Sequence, residues 1–246
     1  MSAESSELSV SAIWHRLGLE RHNWPGRFTI LLTSIMLLLV TQPIFTGHAV
    51  AQNVATASIS LVLLAALYAF RAMRGYFIIA LILLVPSIGF RVALVFFESP
   101  QIEIVSAFSS CTFLAVTVVA LVSRLFIVTS VTLDTISAAI CAYLLMAIAF
   151  AYAFAIVELQ NPTAFSTALF QRSHVGAAPL IASLHSFIYY SFVCLTTTGF
   201  GDITPMSEGA RSLSVMESVF GQLYVAILIA RLVSLEVAQS MLKERK

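Results

Sequence analysis

Charged residues are scarce in this chain of 246 residues, which has 13 basic and 12 acidic side chains, or 10% of the total. A soluble domain carries about 25% charged residues because its surface faces water. Hydrophobic residues make up 59% of the chain, and the mean hydropathy is +0.96. The composition therefore excludes a soluble enzyme and predicts an integral membrane protein.

Other features are also missing from the sequence. The net charge is only +1 and the basic residues are scattered, which argues against nucleic acid as a partner. The three cysteines, Cys111, Cys141 and Cys194, lie in apolar stretches without a CxxC pair or a Cys/His cluster. We therefore expect small buried side chains and neither disulfides nor a zinc site.

Six apolar stretches are long enough to cross a bilayer core of about 30 Å, which needs about 20 residues per helix. They are Phe28–Phe45, Ala49–Phe70, Tyr76–Phe97, Ile104–Val128, Thr135–Val157 and Leu213–Val237. A seventh stretch, Leu180–Leu195, is shorter and runs into the polar segment Thr196–Asp202. Non-helical backbone is tolerated at membrane depth only where protein or water covers it. The sequence thus predicts an all-α membrane protein with six transmembrane helices and one re-entrant segment between the fifth and the sixth.

The distribution of basic residues predicts the orientation. With the N-terminus inside, ten basic residues lie on the cytoplasmic side and two lie outside. Both termini are therefore expected to be cytoplasmic, in a multi-pass protein of the cell (plasma or inner) membrane. Residues 6–20 form either a short helix on the inner surface or a frayed terminus, and residues 160–178 form a long outer loop.

The segment Thr196–Asp202, with the sequence TTTGFGD, resembles the selectivity filter of potassium channels. A potassium ion leaving water must exchange hydration oxygens for protein oxygens, and glycines one residue apart permit the backbone that this requires. The resemblance implies potassium ions at Thr197, Thr198, Gly199 and Phe200. Thr196 and Gly201 would support the filter, Asp202 would concentrate cations at its outer mouth, and Tyr189 and Tyr190 would brace it.

The last apolar stretch has a single glycine, Gly221, which lies 19 residues after Asp202. Members of the family that the filter resembles carry a hinge glycine at about this distance, where the helix bends to open the pore. A hinge and simple close packing of helices are both open interpretations. One helical face from Gly221 carries Gln222, Val225, Ile229 and Val233. In a tetramer this face would line the cavity, with Ile229 and Val233 forming an apolar constriction. Ordinary helix packing is the alternative.

Two positions depart from the commoner filter pattern. Phe200 replaces the usual tyrosine, and Val193 stands where some relatives carry a glutamate behind the filter. Glu217, buried in the last apolar helix, could supply a carboxylate from the other side. A structural carboxylate with no role in gating is the alternative.

Six spans with a pore segment before the last also resemble the layout of voltage-gated potassium channels. The fourth stretch, however, contains only Arg124, whereas steep gating needs three or four charges per subunit. We therefore expect no voltage sensor of the usual kind. Arg91, in the third stretch, is expected to snorkel toward the outer surface.

The chain resembles bacterial six-transmembrane, one-pore potassium channels, with a pore region similar to the two-transmembrane pore-domain ion channel family. This resemblance is specific over Leu180–Val237 and looser over Leu133–Leu159, and before that it is only one of topology. We therefore expect a non-enzymatic homotetramer in membrane lipid that conducts potassium passively, with no cofactor other than the permeant ions. A weakly selective cation channel and a secondary transporter are the alternatives. The expected domains are a cytoplasmic N-terminus (1–27), a peripheral four-helix domain (28–128), a pore domain (129–238) and a short tail (239–246) without a soluble ligand-binding domain.

Overall fold

The computed structural model describes residues 26–45, 51–71, 74–96, 99–128, 132–166 and 179–244. These residues form helices α1 (Arg27–Phe45), α2 (Ala51–Ala69), α3 (Arg74–Phe96), α4 (Pro100–Ile127), α5 (Leu133–Gln160), α6 (Pro179–Leu195) and α7 (Glu208–Glu244), with strands β1 (Phe165–Ser166) and β2 (Thr204–Pro205). The surface helix predicted within residues 6–20 and most of the outer loop predicted over 160–178 lie outside the described residues.

Among the described residues, four helices are long and apolar enough to cross a membrane by length and composition. They contain the segments Gly75–Leu94, Gln101–Ile127, Leu133–Gln160 and Glu208–Leu235. Shorter apolar segments, Phe28–Thr41, Ala57–Ala69 and Leu184–Leu195, lie in α1, α2 and α6. The architecture is that of an integral membrane protein built from helices.

Helix α5 is the centre of the fold, because it packs against α1, α4, α6 and α7. Its buried face is rich in alanine: Ala138, Ala139, Ala142, Ala147, Ala149, Ala151 and Ala155. Small side chains let helix backbones approach closely, which matters where lipid supplies no hydrophobic drive between helices. We refer to α5–α7 as the pore side and to α1–α4 as the peripheral side.

The peripheral helices pack in sequence order, α1 along α2 and α3 along α4. Helix α1 buries Leu31, Ile35 and Leu38, which recur at the spacing of one helical face. The peripheral side reaches α5 through α1 and α4.

The expectation that Arg91 snorkels outward is wrong. The Nη2 atom of Arg91 hydrogen-bonds to the Tyr152 hydroxyl on α5, and to the Oγ atom of Ser110 on α4 at 3.3 Å. Ser110 is also 2.9 Å from the hydroxyl of Ser87. The guanidinium therefore faces the bundle interior, because it finds hydroxyl acceptors there.

Helix α7 is longer than the apolar stretch Leu213–Val237 that predicts it, and it continues through the predicted domain boundary at residue 238. Ser207 sets its start, since its Oγ accepts the amide hydrogen of Ala210 at 3.2 Å as an N-cap. A count of apolar residues detects only the membrane part of a helix and misses its polar turns.

Candidate functional site

The site begins where α6 ends. The amides of residues 196–198 donate to the carbonyls of Phe192, Cys194 and Val193 at 3.0, 3.0 and 2.9 Å. These bonds tighten the last turn and satisfy carbonyls that a helix end leaves without partners. The chain then leaves the helix as the segment 196–202, which we call the filter segment.

The filter segment alternates its backbone conformation. Thr197, Gly199 and Gly201 have φ values of 57°, 63° and 80°, in the left-handed region. An extended strand directs successive carbonyls to opposite sides, whereas left-handed residues at every second position turn them toward one side. The Cβ positions of Gly199 and Gly201 meet no heavy atom within 4 Å, so these glycines serve the backbone conformation and not close packing. The sequence predicted the unusual backbone conformation at both glycines. It did not predict the positive φ of Thr197, because positive φ is uncommon in residues other than glycine.

The two tyrosines predicted to brace the filter face different directions. The Tyr189 ring stacks on Phe200, with centroids 6.4 Å apart and planes at 2°. Tyr190 is buried, and its hydroxyl lies 2.7 Å from the Oγ atom of Ser214 on α7. Tyr189 therefore contacts the filter segment, whereas Tyr190 fixes α6 to α7.

The end of the filter segment farther from α6 is tied to the loop that follows α5. Strand β2 pairs antiparallel with β1, with Phe165 opposite Pro205. The Met206 amide donates to the Ala164 carbonyl at 2.7 Å. Ile203, between the filter segment and β2, is buried. Both ends of the filter segment are thus held by other elements of the same chain.

The carbonyls at the end of α6 accept further hydrogen bonds from its neighbours. The Ser218 hydroxyl on α7 donates to the Cys194 carbonyl at 3.0 Å. The Tyr143 hydroxyl on α5 donates to the Leu195 carbonyl at 3.3 Å. The position of the filter segment therefore depends on both long helices of the pore side.

Glu217 lies behind α6 and is fully buried. Its Oε1 atom is in hydrogen-bond contact with the Ser191 hydroxyl on α6. The same hydroxyl lies 2.6 Å from the carbonyl oxygen of Ala147 on α5. This group joins the three helices of the pore side.

Gly221 allows α7 to approach the end of α6. A Cβ atom there would collide with the Leu195 carbonyl oxygen and would lie 2.9 Å from the Cδ1 atom of Leu195. Of the two interpretations left open by the sequence, this contact favours close packing at Gly221.

The other residues predicted to line the pore lie outside the packed face of α7. The Gln222 amide donates to the Thr197 hydroxyl at 3.4 Å. Val225, Ile229 and Val233 have exposed fractions of 37%, 57% and 58%. Ile227 is 48% exposed, so exposure in a single chain does not distinguish a pore face from a lipid face.

Arg231 makes a contact that sequence reasoning missed, since it counted only as a basic residue on the cytoplasmic side. Its guanidinium donates to the carbonyls of Leu125, Phe126 and Val128 at 2.9, 2.6 and 3.0 Å. These carbonyls lie at the C-terminal end of α4, where helix carbonyls lack intrahelical partners and the dipole is negative. Arg231 therefore ties α7 to the peripheral side.

Comparison with known proteins bears on the pore side. A search of curated proteins gives no significant match to the chain. Residues 142–237 match a family profile described as an ion channel, which is less than half of the chain. The matched range includes most of α5, the filter segment and α7 as far as Val237, and it supports an ion channel pore domain in this part of the protein.

Proposed function

We propose that this protein is a potassium-selective channel whose filter segment supplies one quarter of an ion-binding pore. The alternation of left-handed residues at Thr197, Gly199 and Gly201 carries this proposal. It occurs immediately after an apolar helix that is too short to span the membrane, in the range that matches an ion channel family. The ions would bind carbonyl oxygens of residues 197–200, which replace their hydration shell.

The surroundings of the filter segment fit this role. The C-terminal end of α6 points toward the filter segment, so its dipole would place partial negative charge near a cation. Asp202 is exposed at the opposite end and would raise the local cation concentration. The Thr197 hydroxyl would add a further oxygen ligand at the inner end.

A single chain leaves this pore incomplete. Phe200 is 68% exposed, and large apolar side chains of α7 such as Phe220 and Leu223 are also uncovered. A ring of carbonyls requires closure around an axis, so we propose a homotetramer in which neighbouring subunits and lipid cover these surfaces.

Six spans are part of the same proposal. Helices α1 and α2 each have 19 residues, or about 28 Å of helix, close to the thickness of a bilayer core. With six spans, the excess of basic residues supports a cell (plasma or inner) membrane protein with both termini in the cytoplasm. Ile229 and Val233 would then lie near the cytoplasmic end of the pore, where an apolar ring can block ions by dewetting.

Purified protein in liposomes tests conduction. We expect potassium efflux down its gradient and, in planar bilayers, discrete single-channel steps carried by potassium. Equal conductance for sodium would indicate the weakly selective cation channel. Transport without current steps, coupled to a second ion, would indicate a secondary transporter and would contradict the proposal.

A further inference from the structure

The two contacts that the Ser191 hydroxyl makes with Ala147 and Glu217 can be tested by counting the hydrogens available for them. A serine hydroxyl has one hydrogen to donate and two lone pairs to accept. The Ala147 carbonyl can only accept, and it lies 2.6 Å from the Ser191 Oγ atom. Two oxygens at this distance repel each other unless a hydrogen lies between them, so the Ser191 hydrogen belongs to this bond.

The contact between Ser191 and Glu217 therefore needs a second hydrogen. The Oε1 atom of Glu217 touches the same Oγ atom, whose own hydrogen is already engaged. A carboxylate can only accept, whereas a carboxylic acid has one O–H to donate. Both contacts are satisfied when Glu217 carries a proton and donates it to Ser191.

The second oxygen of Glu217 leads to the same conclusion. Its Oε2 atom is buried and has no hydrogen-bond partner within the described part of the chain. A charged carboxylate with one bare oxygen in an apolar site is far more costly than a neutral acid.

Among the described residues, the titratable side chains that interact electrostatically with Glu217 include Tyr143 on α5 and Tyr190 and Cys194 on α6. All three are neutral in their protonated forms, so these neighbours supply no positive charge that would favour the carboxylate.

We propose that Glu217 is a protonated carboxylic acid that donates to Ser191 and holds α6 between α5 and α7. Because α6 ends at the filter segment, Glu217 is a positioning residue for the filter, an inference that rests on the proposed function. Loss of the proton at alkaline pH leaves two acceptors and one hydrogen in this group. The hold on α6 then weakens, and conduction falls reversibly.

The infrared carbonyl band of a carboxylic acid, which carboxylates lack, measures the proton directly. Purified wild-type protein at neutral pH should show a protonated-acid band that is absent from Glu217→Gln. Glu208→Gln, which changes an exposed carboxylate on the same helix, should keep the band. An unchanged band in Glu217→Gln would overturn the proposal.

Potassium flux gives the second reading. Raising the pH from about 7 to about 10 should reduce wild-type flux at least about threefold, whereas Glu217→Gln, a neutral donor of similar size, should keep its neutral-pH flux. An alkaline loss of the same size in both proteins would contradict the positioning role.

If Glu217→Gln does not fold, Ser191→Ala provides a second test. This variant should retain the infrared band and shift its frequency, because the acid loses its acceptor. An unshifted band would count against the proposal. The infrared measurement does not depend on conduction. A protein that shows the band but no potassium flux would therefore contradict the proposed channel function and not the protonation of Glu217.

Discussion

The pore side and the peripheral side use their hydroxyl groups differently. On α5–α7 several hydroxyls reach across to other helices, as Tyr190 does to Ser214 and Tyr224 does to Ala139. On α1–α4 many of them bond to their own helix, as Thr33 does to Ile30. Hydrogen bonds between helices fix relative positions, whereas bonds within one helix leave its position to apolar packing. The relative positions of the helices are therefore fixed more closely on the pore side, where an ion site needs it.

Two arginines join the two regions. Arg91 of α3 reaches Tyr152 of α5, and Arg231 of α7 reaches the end of α4. A charge inside a membrane protein is costly unless it is paired, so these contacts are specific points at which the peripheral helices can act on the pore side.

Gly201→Ala should have the largest effect. The left-handed backbone at residue 201 costs an L side chain about 1–2 kcal/mol, and four subunits would contribute to one pore. We expect potassium current to fall at least about tenfold while the tetramer still assembles. Single-channel recording with size-exclusion chromatography checks both outcomes.

Gly209→Ala is the matched control for this substitution, because residue 209 has space for a Cβ atom and no left-handed φ. It should conduct like wild type. Normal current through Gly201→Ala would refute the filter assignment.

Gly221→Ala should destabilise the pore side, because the new Cβ atom meets the Leu195 carbonyl. Overpacking of this kind costs about 1–3 kcal/mol. Thermal unfolding in detergent should show the loss. Gly89→Ala on α3, where nothing lies within 4 Å of the Cβ position, should be neutral. A stable Gly221→Ala protein with altered opening would support the hinge in place of close packing.

Tyr152→Phe should loosen the connection between α3 and α5. It removes the hydroxyl that accepts from Arg91, and hydrogen bonds to charged groups contribute about 1.5–3 kcal/mol. Unfolding measurements should show lower stability, whereas Tyr76→Phe, at an exposed position on α3, should not. Equal stability of the two variants would mean that the hydrogen bond between Arg91 and Tyr152 does not contribute to the stability of the protein.

Arg231→Gln should have the smallest effect on stability, about 0.3–1 kcal/mol for a cation at a helix C-terminus. Its clearer sign should be faster amide hydrogen exchange near residues 125–128, with altered open probability and unchanged selectivity. Arg211→Gln removes the same charge near the start of α7, where the side chain pairs with Glu208, and should leave that exchange unchanged. Unchanged exchange in Arg231→Gln would show that the capping contact is not formed.

The sequence predicts most helices well because apolar length and membrane thickness are directly related. The predicted fifth stretch, Thr135–Val157, lies within α5, and Leu180–Leu195 nearly coincides with α6. Polar turns are less visible, which explains the errors at both ends of α7.

Contacts between distant residues were beyond the reach of sequence reasoning. Arg91 and Tyr152 are 61 positions apart, so spacing could not reveal the partner that turns Arg91 inward. Gly221 stood out, but its reason became visible only with Leu195 beside it. The potassium specificity of the filter segment stays a prediction.

The reversal potential under bi-ionic conditions tests the central claim most directly. Purified protein is placed in a planar bilayer with potassium on one side and sodium on the other at equal concentrations. If residues 197–200 bind potassium through their carbonyl oxygens, the current should reverse far from zero, on the side set by potassium permeation. A reversal potential near zero would show that sodium passes as readily as potassium and would contradict the account.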